Sequence, residues 1–203
     1  MALTFDDGPG PFTDTLLDTL AEHNVTAGFF VLTGLALERP DTVRRALAEG
    51  HTVGLHTWDH RNLTALWEAG DWATLYHEID EAADVLATIT GERPLYFRPP
   101  YGAVNAGLRD YIHERGLRIA MWNSGCLDWA FRMPTDPSSA AWPDVAIIVD
   151  GLADAGALIC LHDIHQTTVQ GVPSLIAALR APDGWVNPQS RTFVGLDTCT
   201  KRT

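Results

Sequence analysis

The stretch LTFDDGPGPFTDTLLDTLAEHNVTAGFFVL, residues 3–32, carries the pattern that decides the fold. Residues 3–5 and the apolar run AGFFVL at 27–32 are typical of buried strands. Between them, residues 12–23 show the spacing of an amphipathic helix, with apolar positions at Phe12, Leu16, Leu17 and Leu20. The order strand, helix, strand predicts two parallel strands joined by a helix that lies outside the sheet.

The same alternation continues along the chain. Further strands are predicted at 52–55, 96–97, 117–122, 157–161 and 191–194. Further helices are predicted at 40–49, 71–89, 104–115, 144–153 and 172–179, with a loop over 133–142. Both an open doubly wound sheet and a closed barrel fit this order. An ordinary (β/α)8 barrel needs about 250 residues, so a barrel in a chain of 203 residues would be small or incomplete.

Length and composition limit the functions to consider. A chain of 203 residues with 46% hydrophobic residues suits one domain over 1–203, and we expect a monomer. The net charge of −12 argues against a nucleic-acid partner. No apolar run approaches the eighteen residues that a membrane helix needs. The chain opens directly on a strand, which suggests that a natural N-terminal segment, such as a signal peptide, was cut away.

Reactive side chains follow the predicted strands. In parallel α/β folds the carboxyl ends of the strands form the face on which sites are built. Chance placement would have spread such residues over both ends of the strands. The residues in question are Asp6, Asp7, His56, His60, Arg98, Asp128 and His162.

Two of these groups together suggest a metal site. His56 and His60 are four residues apart, so they lie on one side of a helical turn and can reach one ion. The Gly-Pro pair after Asp6 and Asp7 ends the strand, which lets both carboxylates turn toward one site. One aspartate and two histidines leave positions open for water and substrate, and the second aspartate remains free as a base. Taken singly, His56 and His60 could be unrelated histidines, and the stretch after Asp6 and Asp7 could be an ordinary turn.

The stretch FRPPYG, residues 97–102, is a stiff turn. Neither Pro99 nor Pro100 has an N–H group, so the first free amide is that of Tyr101, a candidate donor to an oxyanion. Gly102 permits an unusual backbone dihedral. Arg98 can pair with a carboxylate of the site, and in isolation it would be a surface arginine beside a rigid turn.

Three residues complete the candidate set. His162 ends an apolar strand and can act as an acid opposite the metal. Asp128 can orient an imidazole, and Trp129 can stack against a sugar ring. Each has an ordinary alternative, since most single histidines are not catalytic and most tryptophans belong to the core.

Taken in order, these motifs resemble those of the polysaccharide deacetylases with a NodB homology domain, carbohydrate esterase family four, and most of all its chitin deacetylases. The matching stretches are TFDDGP at 4–9, HTWDH at 56–60, RPPYG at 98–102, DW at 128–129 and LHD at 161–163. FVGLDTC at 193–199 looks like the closing strand of the family. The resemblance implies a distorted, incomplete (β/α) barrel.

The resemblance also implies a ligand set. One divalent metal ion would be held by Asp7, His56 and His60. Zinc is the metal the resemblance favours, with cobalt or another transition metal as alternatives. Asp6 would be the base that activates water, and Arg98 would hold Asp6 in place.

The other implied roles concern the leaving group and the oxyanion. His162, oriented by Asp128, would protonate the leaving amine, while the Tyr101 amide and the metal would stabilise the oxyanion. The reaction would be hydrolysis of an N-acetyl group on a polymer containing N-acetylglucosamine (GlcNAc), with release of acetate. The family places such enzymes outside the cell or in the cell wall.

Substrate contacts are expected from Trp129, Tyr101, Pro100 and Cys160, with Trp58 and Trp142 as further rings. Cys160 stands where the family usually has a leucine against the acetyl methyl group, so the acetyl pocket would be roomier. Gly125 stands where the family often has an aspartate. We expect Cys160 to be reduced, and leave open whether Cys126 and Cys199 pair.

Several alternatives remain at this point. An acetylxylan esterase or a peptidoglycan deacetylase would use the same machinery on another substrate. A catalytically dead carbohydrate-binding relative would need neither base nor acid, so retention of all the motif residues argues against it. A structural metal domain would usually offer four protein ligands rather than three.

Overall fold

In the computed structural model, seven short strands form one sheet within the described residues. The structure describes residues 1–125, 128–130, 157–180 and 192–196. The strands are β1 Ala2–Asp6, β2 Ala27–Val31, β3 Thr52–Leu55, β4 Tyr96–Phe97, β5 Arg118–Ile119, β6 Ser124–Gly125 and β7 Leu158–His162. Their spatial order is β5-β4-β3-β2-β1-β7-β6, and every pair is parallel.

Helices connect the strands. They are α1 Thr13–Glu22, α2 Thr33–Glu38, α3 Pro40–Ala48, α4 Leu63–Ala69, α5 Trp72–Tyr76, α6 Ala82–Thr90, α7 Ala106–Glu114 and α8 Gln166–Arg180. A π-helical turn, His77–Glu81, joins α5 to α6, and a 3-10 turn spans Pro100–Gly102. None of the helices in the described part of the chain has the length and apolar character needed to cross a membrane.

The sheet curls into a half-barrel that does not close. Among the described residues, the edge strands β5 and β6 do not pair with each other. Every residue of β1 and β2 is buried, as expected for parallel strands covered on both faces. The prediction of a distorted, incomplete (β/α) barrel is therefore confirmed, and neither the open doubly wound sheet nor the closed barrel is found.

Most predicted elements are present with small shifts in their ends, and β3 and β4 have the predicted bounds. Three short elements, α2, α4 and β6, were not predicted. The helix predicted at 71–89 is divided by the π-helical turn, and the strand predicted at 117–122 shrinks to β5. Helix α8 begins at Gln166, six residues before the predicted start, and contains Pro173 in its interior.

The end of the chain differs from its prediction. Residues 192–196 form no strand in the described part, but two backbone hydrogen bonds tie them to the start of β1. The Val194 amide donates to the Met1 carbonyl at 2.9 Å, and the Met1 amino group donates to the Thr192 carbonyl at 3.0 Å. The predicted helix at 144–153 and loop at 133–142 lie outside the described residues.

Strand register positions the site. Asp6 lies opposite His162 in the β1–β7 pair, and Leu55, just before His56, lies opposite Phe97, just before Arg98. Parallel pairing thus brings four of the predicted site residues to one edge of the sheet.

Candidate active site and metal centre

A cleft of about 480 Å³ opens at the carboxyl edge of the sheet. Its lining includes both aspartates of the first motif, both histidines of the second, and His162. Among the described residues, those that line it are Asp6, Asp7, His56, His60, Pro99, Tyr101, Trp122, Trp129, His162 and His165. Most of the predicted residues are therefore brought together, and Pro99, Trp122 and His165 join them without having been predicted.

Three potential metal ligands converge in this cleft. The Asp7 Oδ1 atom lies 3.4 Å from Nε2 of His56 and 3.4 Å from Nε2 of His60. The His56 Nδ1 atom lies 2.6 Å from the Arg98 carbonyl oxygen. A carbonyl can only accept, so Nδ1 carries the proton, and Nε2 is the nitrogen that would offer a lone pair to a metal.

The surroundings of Asp7 also fit a bound cation. Its Oδ1 atom is buried and has no hydrogen-bond partner among the described residues. A buried carboxylate oxygen without a partner is costly unless a cation is present. One carboxylate and two imidazoles are a ligand set typical of zinc and similar transition metals. The three side chains are therefore suited to hold a divalent metal ion.

Protonation states agree with this arrangement. Burial works to raise the pKa of Asp7, but His56 and His60 outweigh it and lower that pKa. Burial lowers the pKa of His60, which keeps its ring neutral. An ionised carboxylate and neutral imidazoles are the forms that bind metals.

The ligands sit on a backbone with unusual dihedrals. Asp7 has φ 72°, Thr57 has φ 72° and His60 has φ 70°. Non-glycine residues rarely adopt positive φ, and a β-branched threonine is a clear outlier. At Asp7 the positive φ breaks the alternation of the strand, so Asp6 and Asp7 both reach the cleft.

Asp6 is held by a fully buried arginine. Arg98 Nη1 donates to Asp6 Oδ1 at 2.6 Å and to Thr4 Oγ1 at 2.8 Å, and Arg98 Nε donates to the Ala120 carbonyl at 2.9 Å. Asp6 Oδ2 lies 3.9 Å from His56 Nε2, beside the converging ligands. One oxygen of Asp6 is thus fixed by Arg98, while the other remains next to the cleft.

Beside Asp6, on the neighbouring strand β7, a carboxylate holds His162. Asp128 Oδ1 lies 2.8 Å from His162 Nδ1, and Asp128 Oδ2 accepts from the His162 amide at 2.8 Å and from Thr168 Oγ1 at 2.7 Å. Burial works to lower the pKa of His162. The hydrogen bond to Asp128 and the negative charges of Asp128, Asp7 and Asp6 outweigh burial, so the pKa of His162 is raised.

Aromatic rings border the cleft. The Tyr101 side chain is 67% exposed, with its ring centroid 4.7 Å from that of His60, and Trp129 is 61% exposed. Two large exposed rings beside a cleft suit stacking on a sugar. Pro100 is buried and lies outside the lining, where Pro99 takes part instead. Trp58 stacks on His77 away from the lining, and Trp142 lies outside the described residues.

Cys160 requires a correction. The expectation of a reduced thiol is wrong, because Cys160 is disulfide-bonded. Its sulfur lies 3.4 Å from Asp6 Oδ2, but a disulfide sulfur has no proton to donate and is not a thiolate ligand. The error has a structural reason, since the unpredicted strand β6 pairs Gly125 with Cys160. Cys126 and Cys199 lie outside the described residues, and Cys160 itself is fully buried and not part of the cleft lining.

Two buried acids were missed by the sequence analysis. Asp163 accepts from Thr13 Oγ1 at 2.5 Å, and burial raises its pKa to about 7. Its carboxylate packs so closely on Gly8 that any side chain there would collide with it. Glu78 accepts from backbone amides next to His60, and burial and the neighbouring Asp59 raise its pKa. Asp163 could have been found from its place after His162, whereas nothing in the sequence singles out Glu78.

Comparisons with known proteins bear on the family of this chain. The family model for polysaccharide deacetylase matches residues 1–120. The peptidoglycan-N-acetylglucosamine deacetylase of Bacillus cereus is 37% identical over 182 residues, which cover 88% of this chain and 64% of that protein. The chitooligosaccharide deacetylase of Rhizobium leguminosarum bv. trifolii is 39% identical over 165 residues, 79% of this chain and 70% of that protein.

A solved structure described as T48 deacetylase with substrate superposes with a TM-score of 0.79 at 33% identity, covering 100% of this chain and 90% of that one. The chain therefore belongs to the polysaccharide deacetylase family, carbohydrate esterase family four. The chain spans slightly less than two thirds of the length of the Bacillus cereus relative.

Proposed function

We propose that this chain is a metal-dependent N-deacetylase, which hydrolyses the N-acetyl group of GlcNAc residues in a glycan and releases acetate. The observation that carries the proposal is the convergence of Asp7, His56 and His60 beside a separately anchored carboxylate, Asp6. Three protein ligands leave room for water and substrate, which distinguishes a catalytic from a structural site. Zinc is the metal we expect, with cobalt as the alternative.

The residues around the ligands have distinct parts in this reaction. When bound, a divalent ion supplies Lewis-acid activation of water and polarises the acetyl carbonyl. Asp6 takes the proton of the attacking water, because its free oxygen faces the cleft while Arg98 fixes the other. The buried guanidinium of Arg98 pairs with this carboxylate at 2.6 Å and holds it in place as the base.

His162 supplies the proton that the leaving amine needs. Its Nδ1 is bound to Asp128, which leaves Nε2 for the substrate. The raised pKa favours the charged ring, the form required of an acid. The Tyr101 amide, at the turn after Arg98, is the donor we assign to the oxyanion.

The substrate class is GlcNAc in a polysaccharide or oligosaccharide. Tyr101 and Trp129 are placed to stack on sugar rings at the cleft. The Rhizobium relative supports chitooligosaccharide, which the motifs favour, and the Bacillus cereus relative supports peptidoglycan as the second candidate. Both substrates fit an extracellular or cell-wall location.

An acetate-release panel tests the proposal. Chitin oligomers, peptidoglycan and acetylated xylan are each incubated with the enzyme, with and without a strong chelator. We expect release from a GlcNAc polymer, loss of activity with chelator, and partial recovery with zinc or cobalt. Full activity in a metal-stripped sample would contradict the mechanism, and release from acetylxylan alone would make the protein an esterase.

A further inference from the structure

The loop that carries the two histidine ligands has a strained backbone. We define the histidine loop as residues 57–60; His56 precedes it directly and His60 ends it. Thr57 and His60 both have positive φ, and Thr57 is β-branched. Such conformations persist only when the surrounding structure holds them in place. The question is which groups hold this loop.

The carbonyl groups of the loop are held by the start of α2. The Thr33 amide donates to the Thr57 carbonyl at 3.0 Å, and the Gly34 amide donates to the Trp58 carbonyl at 3.1 Å. The first amides of a helix have no partner within the helix, so they are free to bind this backbone. These contacts fix one side of the loop.

The amide groups of the loop are held by one buried carboxylate. Glu78 Oε2 accepts from the Trp58 amide at 3.0 Å and from the Asp59 amide at 3.2 Å. Glu78 is only 1% exposed, so this carboxylate is shielded from water. The Trp58 ring also stacks on His77, at 4.3 Å between centroids.

Glu78 lies in the π-helical turn His77–Glu81. A π turn inserts one residue into a helix and changes the direction of the side chains around it, and such turns are frequent at functional sites. On the same turn, Asp80 points to other partners, the Tyr111 hydroxyl at 2.7 Å and Arg115 Nε at 2.6 Å. Two acids two residues apart thus serve different parts of the fold.

We propose that Glu78 is a positioning residue that fixes the histidine loop so that His56 and His60 meet Asp7 in the ligand geometry. It acts through backbone amides and does not touch the ligand atoms. The inference rests on the metal site proposed above. Without Glu78, the loop would have to be ordered when the metal binds, and loss of such supporting contacts typically weakens metal affinity by about 10–100-fold.

Zinc affinity of the metal-stripped protein, measured by competition with a chelating dye, tests this role. Unfolding in urea is measured in parallel. Glu78→Ala removes the acceptor that both amides share and should weaken zinc binding about 10–100-fold. Glu78→Gln keeps a carbonyl oxygen for the amides and should stay near wild type. Asp80→Ala is the matched control, since it removes a half-buried, hydrogen-bonded acid from the same turn and should lower stability without changing zinc affinity.

The outcomes separate this inference from the proposed function. Wild-type protein that binds no zinc would overturn the metal site itself. Wild-type binding together with unchanged affinity in Glu78→Ala, or an equal loss in Asp80→Ala, would overturn the role of Glu78 alone. If Glu78→Ala does not fold, Glu78→Asp decides, because its shorter side chain cannot reach both amides; full affinity in that variant would overturn the proposal.

Discussion

Asp6 and Asp7 are adjacent in the chain and yet are held by different partners. Arg98, which also donates to Thr4, anchors Asp6, whereas Asp7 faces His56 and His60. The break in strand alternation at Asp7, with its positive φ, is what separates the two environments. The same substitution at the two positions should therefore have different effects.

Asp6→Asn leaves all three ligands intact, so zinc should remain bound while the rate falls about 10²–10⁴-fold through loss of the base. Asp7→Asn replaces an anionic ligand by a weaker neutral one, so both zinc content and rate should fall. Zinc content and deacetylation rate, measured side by side, check this. An empty site in Asp6→Asn with a filled site in Asp7→Asn would reverse the assigned roles.

The pair of His162 and Asp128 leads to a pH prediction. Because Asp128 raises the pKa of His162, Asp128→Asn should lower it, and the acid should lose its proton at lower pH. The alkaline limb of the kcat profile should therefore move to lower pH. Thr168→Val, which removes a hydrogen bond from Asp128 but no charge, should move it less. An unchanged limb in Asp128→Asn would exclude His162 as the acid.

The same pair contributes to stability with a definite sign. Folding raises the pKa of His162 above its ordinary value of 6.5. The contribution is therefore complete below about that pH and is lost as pH rises through the raised pKa. The difference in unfolding free energy between wild type and Asp128→Asn should shrink at alkaline pH, as urea titrations across the range can measure.

Site residues inside motifs could be predicted from the sequence, whereas their supporting residues could not. Asp6, His56 and His162 stand at strand ends, where position alone marks them. Trp122 reaches the cleft from beyond β5, and Glu78 reaches the histidine loop from a helix 18 or more residues away, through backbone contacts. Contacts made by backbone amides leave no pattern in the side chains of the residues that donate them.

At the scale of elements, β3 is constrained by a close approach to its neighbours. A Cβ atom added at Gly54 would lie 2.7 Å from the Phe30 ring and 3.1 Å from the Tyr96 carbonyl. Because β3 leads directly into His56, crowding here should disturb the ligands as well as the core.

Gly54→Ala should destabilise the protein by roughly 1–3 kcal/mol through overpacking and should also weaken zinc binding. Gly91→Ala is the comparison, since nothing lies within 4 Å of its added Cβ and only its φ of 89° opposes the change. Gly91→Ala should lower the free energy of unfolding by about 1 kcal/mol and leave zinc affinity unchanged. Urea unfolding and zinc titration measure both quantities, and wild-type behaviour of Gly54→Ala would refute the argument.

Short elements account for most of the remaining differences between the helices and strands predicted from the sequence and those in the structure. Strand β6 has two residues, too few for any periodicity, and its absence from the prediction concealed that Gly125 lies beside Cys160. The last helix was predicted to begin at 172, but burial of Thr168, Val169 and Gly171 stabilises the earlier turns that begin at Gln166. Long, apolar and periodic segments such as β2 and α1 were predictable because their pattern repeats.

At the scale of the whole molecule, the parallel topology brings distant parts of the chain to one edge. Asp7 follows β1 and the two histidines follow β3, so the ligand set exists only when these strands are correctly registered. A metal ion that binds all three side chains therefore binds the folded chain and not the unfolded one. Metal binding and global stability should be linked.

Zinc at 100 times its Kd should add about 2.7 kcal/mol to the free energy of unfolding. For a chain of this size that raises Tm by roughly 5–10 °C, and a chelator should reverse it. Asp6→Asn should keep the shift, because it retains every ligand, while Asp7→Asn should lose most of it. Thermal unfolding of the three proteins with zinc or chelator measures this, and an equal zinc-induced shift in Asp7→Asn would mean that the metal stabilises the fold from another site.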